Sequence, residues 1–249
     1  MDTTRKHRYY TRYSIRQRKN DTTTTQKQKR KTRRYNTKIY KPYTKSQQLK
    51  TKELNNDFLF YKNSLREAEM DIQTQQDTGK ALKDIVGEAF ERHRARVWTH
   101  FGFNVSKHRY GAMFDVDWSI TWKDKLIALE EDKGHYVDSC FLERAISGFC
   151  KTVNTYQKKE KEVPLLILHS FTKYNKFNDK LEEDLDTRKT EIKDEIQRKL
   201  VYTTLVESNR LPRRKWFSKD YYRGYTDNVD NKLIIKDIEF IRSLIPISE

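Results

Sequence analysis

Ala112-Met113-Phe114-Asp115-Val116-Asp117-Trp118-Ser119-Ile120-Thr121-Trp122-Lys123-Asp124-Lys125-Leu126-Ile127-Ala128-Leu129-Glu130-Glu131-Asp132-Lys133-Gly134-His135-Tyr136 holds two runs rich in β-branched, aromatic and aliphatic residues. Ala112–Trp122 and Lys125–Glu131 each read as a strand, with Lys123-Asp124 as the turn between them. Just upstream, Phe103–Val105 reads as a further short strand. Before it, Leu82, Ile85, Val86, Ala89, Phe90, Val97, Trp98 and Phe101 recur mostly at i, i+3, i+4 and i+7. That spacing predicts an amphipathic helix, capped at Asp77 or Thr78 and ended by Gly102. Downstream, Phe141, Leu142, Ala145, Ile146, Phe149 and Val153 predict a helix over Asp138–Tyr156. Val163-Pro164-Leu165-Leu166-Ile167-Leu168 then has the short apolar run that a sheet interior needs. The predicted order over residues 77–175 is α-β-β-β-α-β, an α/β core.

The flanks differ in character. Residues 51–76, with Phe58, Leu59, Tyr61, Leu65 and Ala68, read as a helix or ordered connector. Leu181–Val206 reads as a charged helical stretch and Leu233–Ile245 as a last apolar element, so residues 176–249 form a helical extension. Residues 1–50 hold 17 of the 52 Lys+Arg and 2 of the 36 Asp+Glu, and so carry +15 of the formal +16 charge. Such a segment cannot bury enough apolar surface to offset ordering its backbone, and is expected to be disordered when free. Within it Lys27, Lys29, Arg30, Lys31, Arg33 and Arg34, among interleaved tyrosines, suit a phosphate backbone with bases to stack on. A solvated tail or a nuclear-import run has the same composition.

Several classes are excluded. Two cysteines, Cys140 and Cys150, make no disulfide framework and read as helix packing residues. No run approaches ~18 apolar residues and the N-terminus lacks a signal-peptide core, so an intracellular protein with no membrane span is expected. No Gly-rich phosphate loop is present, which argues against an NTPase or kinase.

The acids carry the chemistry. Asp115 and Asp117 lie two apart in one predicted strand, and Glu130, Glu131, Asp132 and Lys133 end the next. If the strands pair, Asp117 approaches either Glu131 and Lys133, which share one face, or Glu130 and Asp132, which share the other. Either way, carboxylates converge at a sheet edge. Their oxygens suit Mg²⁺ or Mn²⁺, which polarise a phosphodiester and activate water. A lysine beside them would hold the attacking water or the transition-state oxygens. Any one such pair, taken singly, is more often just solvated; it is the order of helix, strands and acids together that points to a site.

That order resembles the PD-(D/E)XK nuclease superfamily, whose motif is an Asp followed on the next strand by (D/E)-x-K, here Asp117 with Glu131-Asp132-Lys133. Gly87-Glu88-Ala89-Phe90-Glu91, with Gly102-Phe103 after it, is similar to the G-x-x-x-E…GF of Holliday-junction-resolvase-like members. Ala128 to Tyr136, with Cys140, Glu143 and Arg144, resembles the E-x-D…H segment of Vsr-like endonucleases of large DNA viruses, and Leu165–Tyr174 their closing strand. The chain departs from the pattern at Val116, where the family has Pro, at the charged Asp132, and at His135, which comes one residue early. The resemblance implies a restriction-endonuclease-like core with a mixed sheet. In one register Asp117 and Glu131 hold metal, Lys133 positions water and Glu91 is an accessory acid. In the other, Asp117, Glu130 and Asp132 hold metal and His135 assists. Arg144 would meet a phosphate or simply pair with Glu143. The resemblance also implies DNA as partner and Mg²⁺ or Mn²⁺ as cofactor; nucleases that cut both strands often pair, which leaves a homodimer open. It further implies a virus-encoded protein of the host nucleus, virus factory or virion.

Two functions compete on this reading. One is a metal-dependent endonuclease whose basic tail raises local substrate concentration. The other is a catalytically inactive nucleic-acid-binding or genome-packaging protein on the same fold.

Overall fold

Lys123 and Asp124 do make the turn: both sit at positive φ, 45° and 65°, as a two-residue primed hairpin turn requires. They join β2 (Phe114–Trp122) to β3 (Lys125–Tyr136). The computed structural model describes residues 45–75, 78–110, 114–136, 139–172, 176–188, 190–206 and 229–246. The expectations for residues 1–44, Lys27 to Arg34 among them, lie outside these. The other elements are α1 (Lys45–Gln75), α2 (Leu82–His100), β1 (Asn104–Tyr110), α3 (Ser139–Lys158), β4 (Leu165–Thr172), α4 (Phe177–Asp186), α5 (Thr190–Lys199), β5 (Leu200–Val206) and α6 (Asn231–Ser243). From α2 to β4 this is the predicted α-β-β-β-α-β order. Gly102, at φ 88°, turns the chain out of α2 into β1, as a C-terminal glycine does.

The sheet is mixed, in the order β1-β2-β3-β4-β5. β1, β2 and β3 run antiparallel in turn, and β4 and β5 add in parallel. A parallel step needs a crossover, and α3 supplies the one from β3 to β4. Side chains alternate between two apolar layers. On one side Tyr61, Leu65, Ile85, Phe90 and Trp98 of α1 and α2 and Ile234 and Ile238 of α6 pack with Ile120, Ala128 and Ile167. On the other, Leu142, Ile146 and Phe149 of α3, Leu185 of α4 and Ile196 of α5 pack with Leu129, Leu166 and Leu168. β4, between two covered faces, is buried at every residue after Leu165, which is why it reads as a continuous apolar run. No helix among the described residues is long and apolar enough to cross a membrane.

Four expectations need correction. The C-terminal extension is not purely helical: the predicted helical stretch Leu181–Val206 breaks into α4, α5 and β5. Val201, Tyr202, Thr203 and Thr204 are strand formers, and a free sheet edge beside β4 gives them a partner. The first helix starts at Lys45, inside the segment assigned to the tail, because Lys, Gln and Leu all favour helix. The second starts at Leu82, with Ala81 rather than Thr78 at its N-cap and no side-chain cap there, while Asp77 lies outside the described residues. Cys150 is buried as a packing residue should be, whereas Cys140 is exposed.

One contact fixes α2 against β3. A Cβ on Gly134 would lie 2.7 Å from the Val86 carbonyl oxygen and 3.0 Å from Phe90 Cβ, so helix backbone and strand touch with no side chain between them. A helix carbonyl cannot swing aside, so Gly134→Ala is expected to push α2 off the sheet and cost about 1–3 kcal/mol. Urea unfolding at neutral pH measures this, and an unchanged midpoint would show that the approach is loose.

Candidate active site

Pairing of β2 with β3 runs from Trp122↔Lys125 to Trp118↔Glu130, with a register shift between Ile120 and Thr121. One residue farther, the Asp132 amide donates to Asp117 Oδ2 at 2.7 Å, so a side-chain oxygen takes the hydrogen bond there. Beside this point opens a cleft of about 340 Å³, between the first turns of α2 and the start of α3. Its lining includes Lys83, Glu91, Asp117, Glu131, Lys133 and Phe141. Asp117, Glu131, Lys133 and Glu91, predicted as one group, are therefore brought together. The Lys133 ammonium stands 4.0 Å over the Phe141 ring.

Burial and mutual repulsion strain the acids. Burial, then the charge of Glu91, raises the Asp117 carboxyl to about 6, against the Asp132 amide and Lys107, which lower it. Burial and then Asp117 push Glu131 well above the usual carboxylate range, opposed by Lys133. Glu131 Oε2 is buried with no hydrogen-bond partner. A cation placed there would relieve all three features, since it favours the charged forms and supplies the missing partner.

Glu130 and Asp132 point to the other face and are differently engaged. Arg94 of α2, fully buried, donates from Nε to Glu130 Oε1 at 2.7 Å and from Nη2 to Oε2 at 3.3 Å. Trp98 Nε1 donates to the same Oε2 at 2.8 Å. The third side of the guanidinium, Nη1, reaches Asp237 Oδ2 of α6 at 2.6 Å and the Tyr61 hydroxyl at 3.2 Å. Burial would lower Arg94, but Asp237 and Glu130 outweigh it and hold it charged. Glu130 thus has both oxygens committed and, of the four carboxylates expected as metal ligands, is the one that does not line the cleft. Asp132 also lines the cleft: its Oδ2 accepts from Trp118 Nε1 at 2.9 Å, its Oδ1, like Glu131 Oε2, is buried with no hydrogen-bond partner, and burial and Glu130 push its carboxyl up towards the protonated form. The cleft thus holds Asp117, Glu131 and Asp132, with Lys133 beside them.

The remaining candidates are placed as follows. His135 belongs to β3, but its side chain lies outside the described residues. Arg144 is exposed on α3 and does not line the cleft, and Glu143 pairs with Lys180 at 2.9 Å instead. Two residues that the sequence reading missed belong to the cleft's surroundings. Lys83 lines it, and Lys107 of β1 bonds to Glu91 Oε2. Nothing in the local sequence marks either, because only the folded sheet carries β1 past Glu91.

Among the described residues, no group of three or more His, Cys, Asp and Glu is gathered to hold a metal ion unaided. The donor set fits a hard cation bound by two carboxylates with water completing its shell, which is how Mg²⁺ is usually held. Asp117 and Glu131 supply those oxygens. No protein-family description, curated protein or solved structure matches the chain.

Proposed function

We propose that this protein is a metal-dependent endonuclease of the PD-(D/E)XK type that hydrolyses phosphodiester bonds in DNA. The observation that carries the reading is the orphaned Glu131 Oε2, buried against Asp117 in a cleft that also holds Lys133. A buried acceptor with no donor is costly unless something binds it. Asp117 and Glu131 are the ligands of the cation, and Glu91 is the accessory acid at the rim. When bound, the cation polarises the phosphodiester and lowers the pKa of the attacking water. Lys133 donates hydrogen bonds to that water and to the oxygens on which charge develops. The Asp132 amide holds Asp117 in place through its 2.7 Å bond. Cations of residues 1–50 raise the local concentration of the polyanion.

The test is cleavage of supercoiled plasmid and of branched DNA by the full-length protein in Mg²⁺, in Mn²⁺ and in EDTA, beside Glu131→Gln. Nicking in either metal is expected, none in EDTA, and a loss of about 1000-fold in the variant, the several kcal/mol that a metal centre contributes. Retention of plasmid in gels with no cutting in any metal would instead favour the packaging function.

A further inference from the structure

Lys107 of β1 stands beside the cleft, held there by a residue that lines it. Its Nζ bonds to Glu91 Oε2 and lies 4.4 Å from the centre of the Trp118 ring. The ring is itself fixed by its 2.9 Å bond to Asp132. The lysine side chain is 57% exposed and Glu91 24%, so the ammonium faces solvent at the rim while the carboxylate turns into the cleft. Glu91 is also the charge that acts most strongly on Asp117. The pair therefore couples the acids to the outer surface.

We propose that Lys107 is a phosphate-binding residue for the substrate strand, held by Glu91 until a divalent cation at Asp117 and Glu131 draws that carboxylate inward. The inference rests on the metal-site reading above. A double positive charge beside Glu91 attracts the carboxylate and repels the ammonium, which weakens their bond from both sides. The released ammonium keeps its cation–π contact with Trp118, which leaves N–H donors free to face outward towards a phosphate. Lys83, on the α2 wall of the same cleft, has no ion pair among the described residues and so serves as the ungated comparison.

The experiment measures binding of a labelled 20-base-pair duplex to the full-length protein by fluorescence anisotropy, in EDTA and in Ca²⁺, with cleavage followed on the same samples. In EDTA, wild type and Lys107→Met are expected to bind equally, because Glu91 already occupies the lysine. Glu91→Gln, which frees it, should bind about fivefold more tightly at ~0.15 M salt, the worth of one phosphate contact, and Glu91→Gln/Lys107→Met should lose that gain. In Ca²⁺, Lys107→Met should bind about fivefold more weakly than wild type, with a salt dependence shallower by about 0.9. Lys83→Met should weaken binding equally with and without metal. If Lys107→Met costs the same in EDTA as in Ca²⁺, or the Glu91→Gln gain survives in the double variant, the gated contact is overturned. A thermal shift of wild type with Ca²⁺ separates the two levels of argument. A shift without any metal-dependent cost in Lys107→Met overturns the inference about Lys107 alone, while no shift and no cleavage overturns the metal site and the gate together.

Discussion

Asp117→Asn is expected to abolish cleavage and to make the protein more stable. The Asp117 carboxyl rises from 3.8 to about 6 on folding, through burial first and Glu91 second. The folded protein therefore holds a proton between about pH 4 and 6 that the unfolded chain has released. Stability falls as pH climbs through that window and stays lower above it. The difference of about 2.2 units corresponds to about 3 kcal/mol at 1.36 kcal/mol per unit, an upper figure for a half-buried group. Asparagine keeps an oxygen for the Asp132 amide and carries no charge. At pH 7 the variant should gain about 1–3 kcal/mol over wild type in urea unfolding, and the gap should close near pH 3.5. Mg²⁺ should stabilise wild type at neutral pH and leave the variant unmoved, because the variant lacks half of the proposed ligand pair. A variant less stable than wild type at pH 7 would show that Asp117 is not held under repulsion.

The largest loss of stability is expected from Arg94→Met. Removing the guanidinium leaves Glu130, fully buried, and Asp237, 3% exposed, without their cation. Breaking a buried pair in this way costs about 3–5 kcal/mol, because the remaining charge has no solvent to turn to. Arg94→Met/Glu130→Gln/Asp237→Asn removes the charges together while leaving acceptors for Trp98 and Tyr61, and should recover most of that loss. Denaturant unfolding of the pair of variants checks it. Equal instability of the single and triple variants would mean that the guanidinium contributes packing, not charge balance. Arg94 lies one helical turn beyond Glu91, so the network that anchors α2 to β3 and α6 also holds Glu91 beside Asp117.

Much of this is legible in the sequence, and the gaps have physical reasons. The core order follows from hydrophobic pattern, because α2 and α3 each bury one face at helical spacing and β4, covered on both faces, reads as an apolar run. The acids are legible as a group, since a period of two puts Glu131 with Lys133 and Glu130 with Asp132. That Glu130 is the one turned away from the cleft is not legible from the acids. It depends on Arg94, and a signal for it did exist: Phe90, Arg94 and Trp98 lie four apart, so a cation occupies the apolar stripe of α2 and needs a buried partner. β5 is hidden because it follows α5 at Lys199-Leu200 with no glycine or proline to mark the change. Lys107 is hidden because its partner, Glu91, sits on another element.

The geometry of α1 has a consequence for reach. It lies antiparallel to α2, with Asp71 against Arg92 at 3.2 Å, Glu67 against Arg96 at 2.9 Å and Asp57 against His100 at 2.8 Å. Its last turn thus ends near the start of α2, where the cleft is. Its first turn, at Lys45, projects beyond the far end of α2. A helix of 31 residues is about 45 Å long, and duplex DNA rises about 3.4 Å per base pair. The first residue of α1 therefore lies about 45 Å, a dozen base-pair steps of a duplex, from the end of the helix beside the cleft. α1 is thus a spacer that sets its own first turn at one flank of the described fold and the acids at the other.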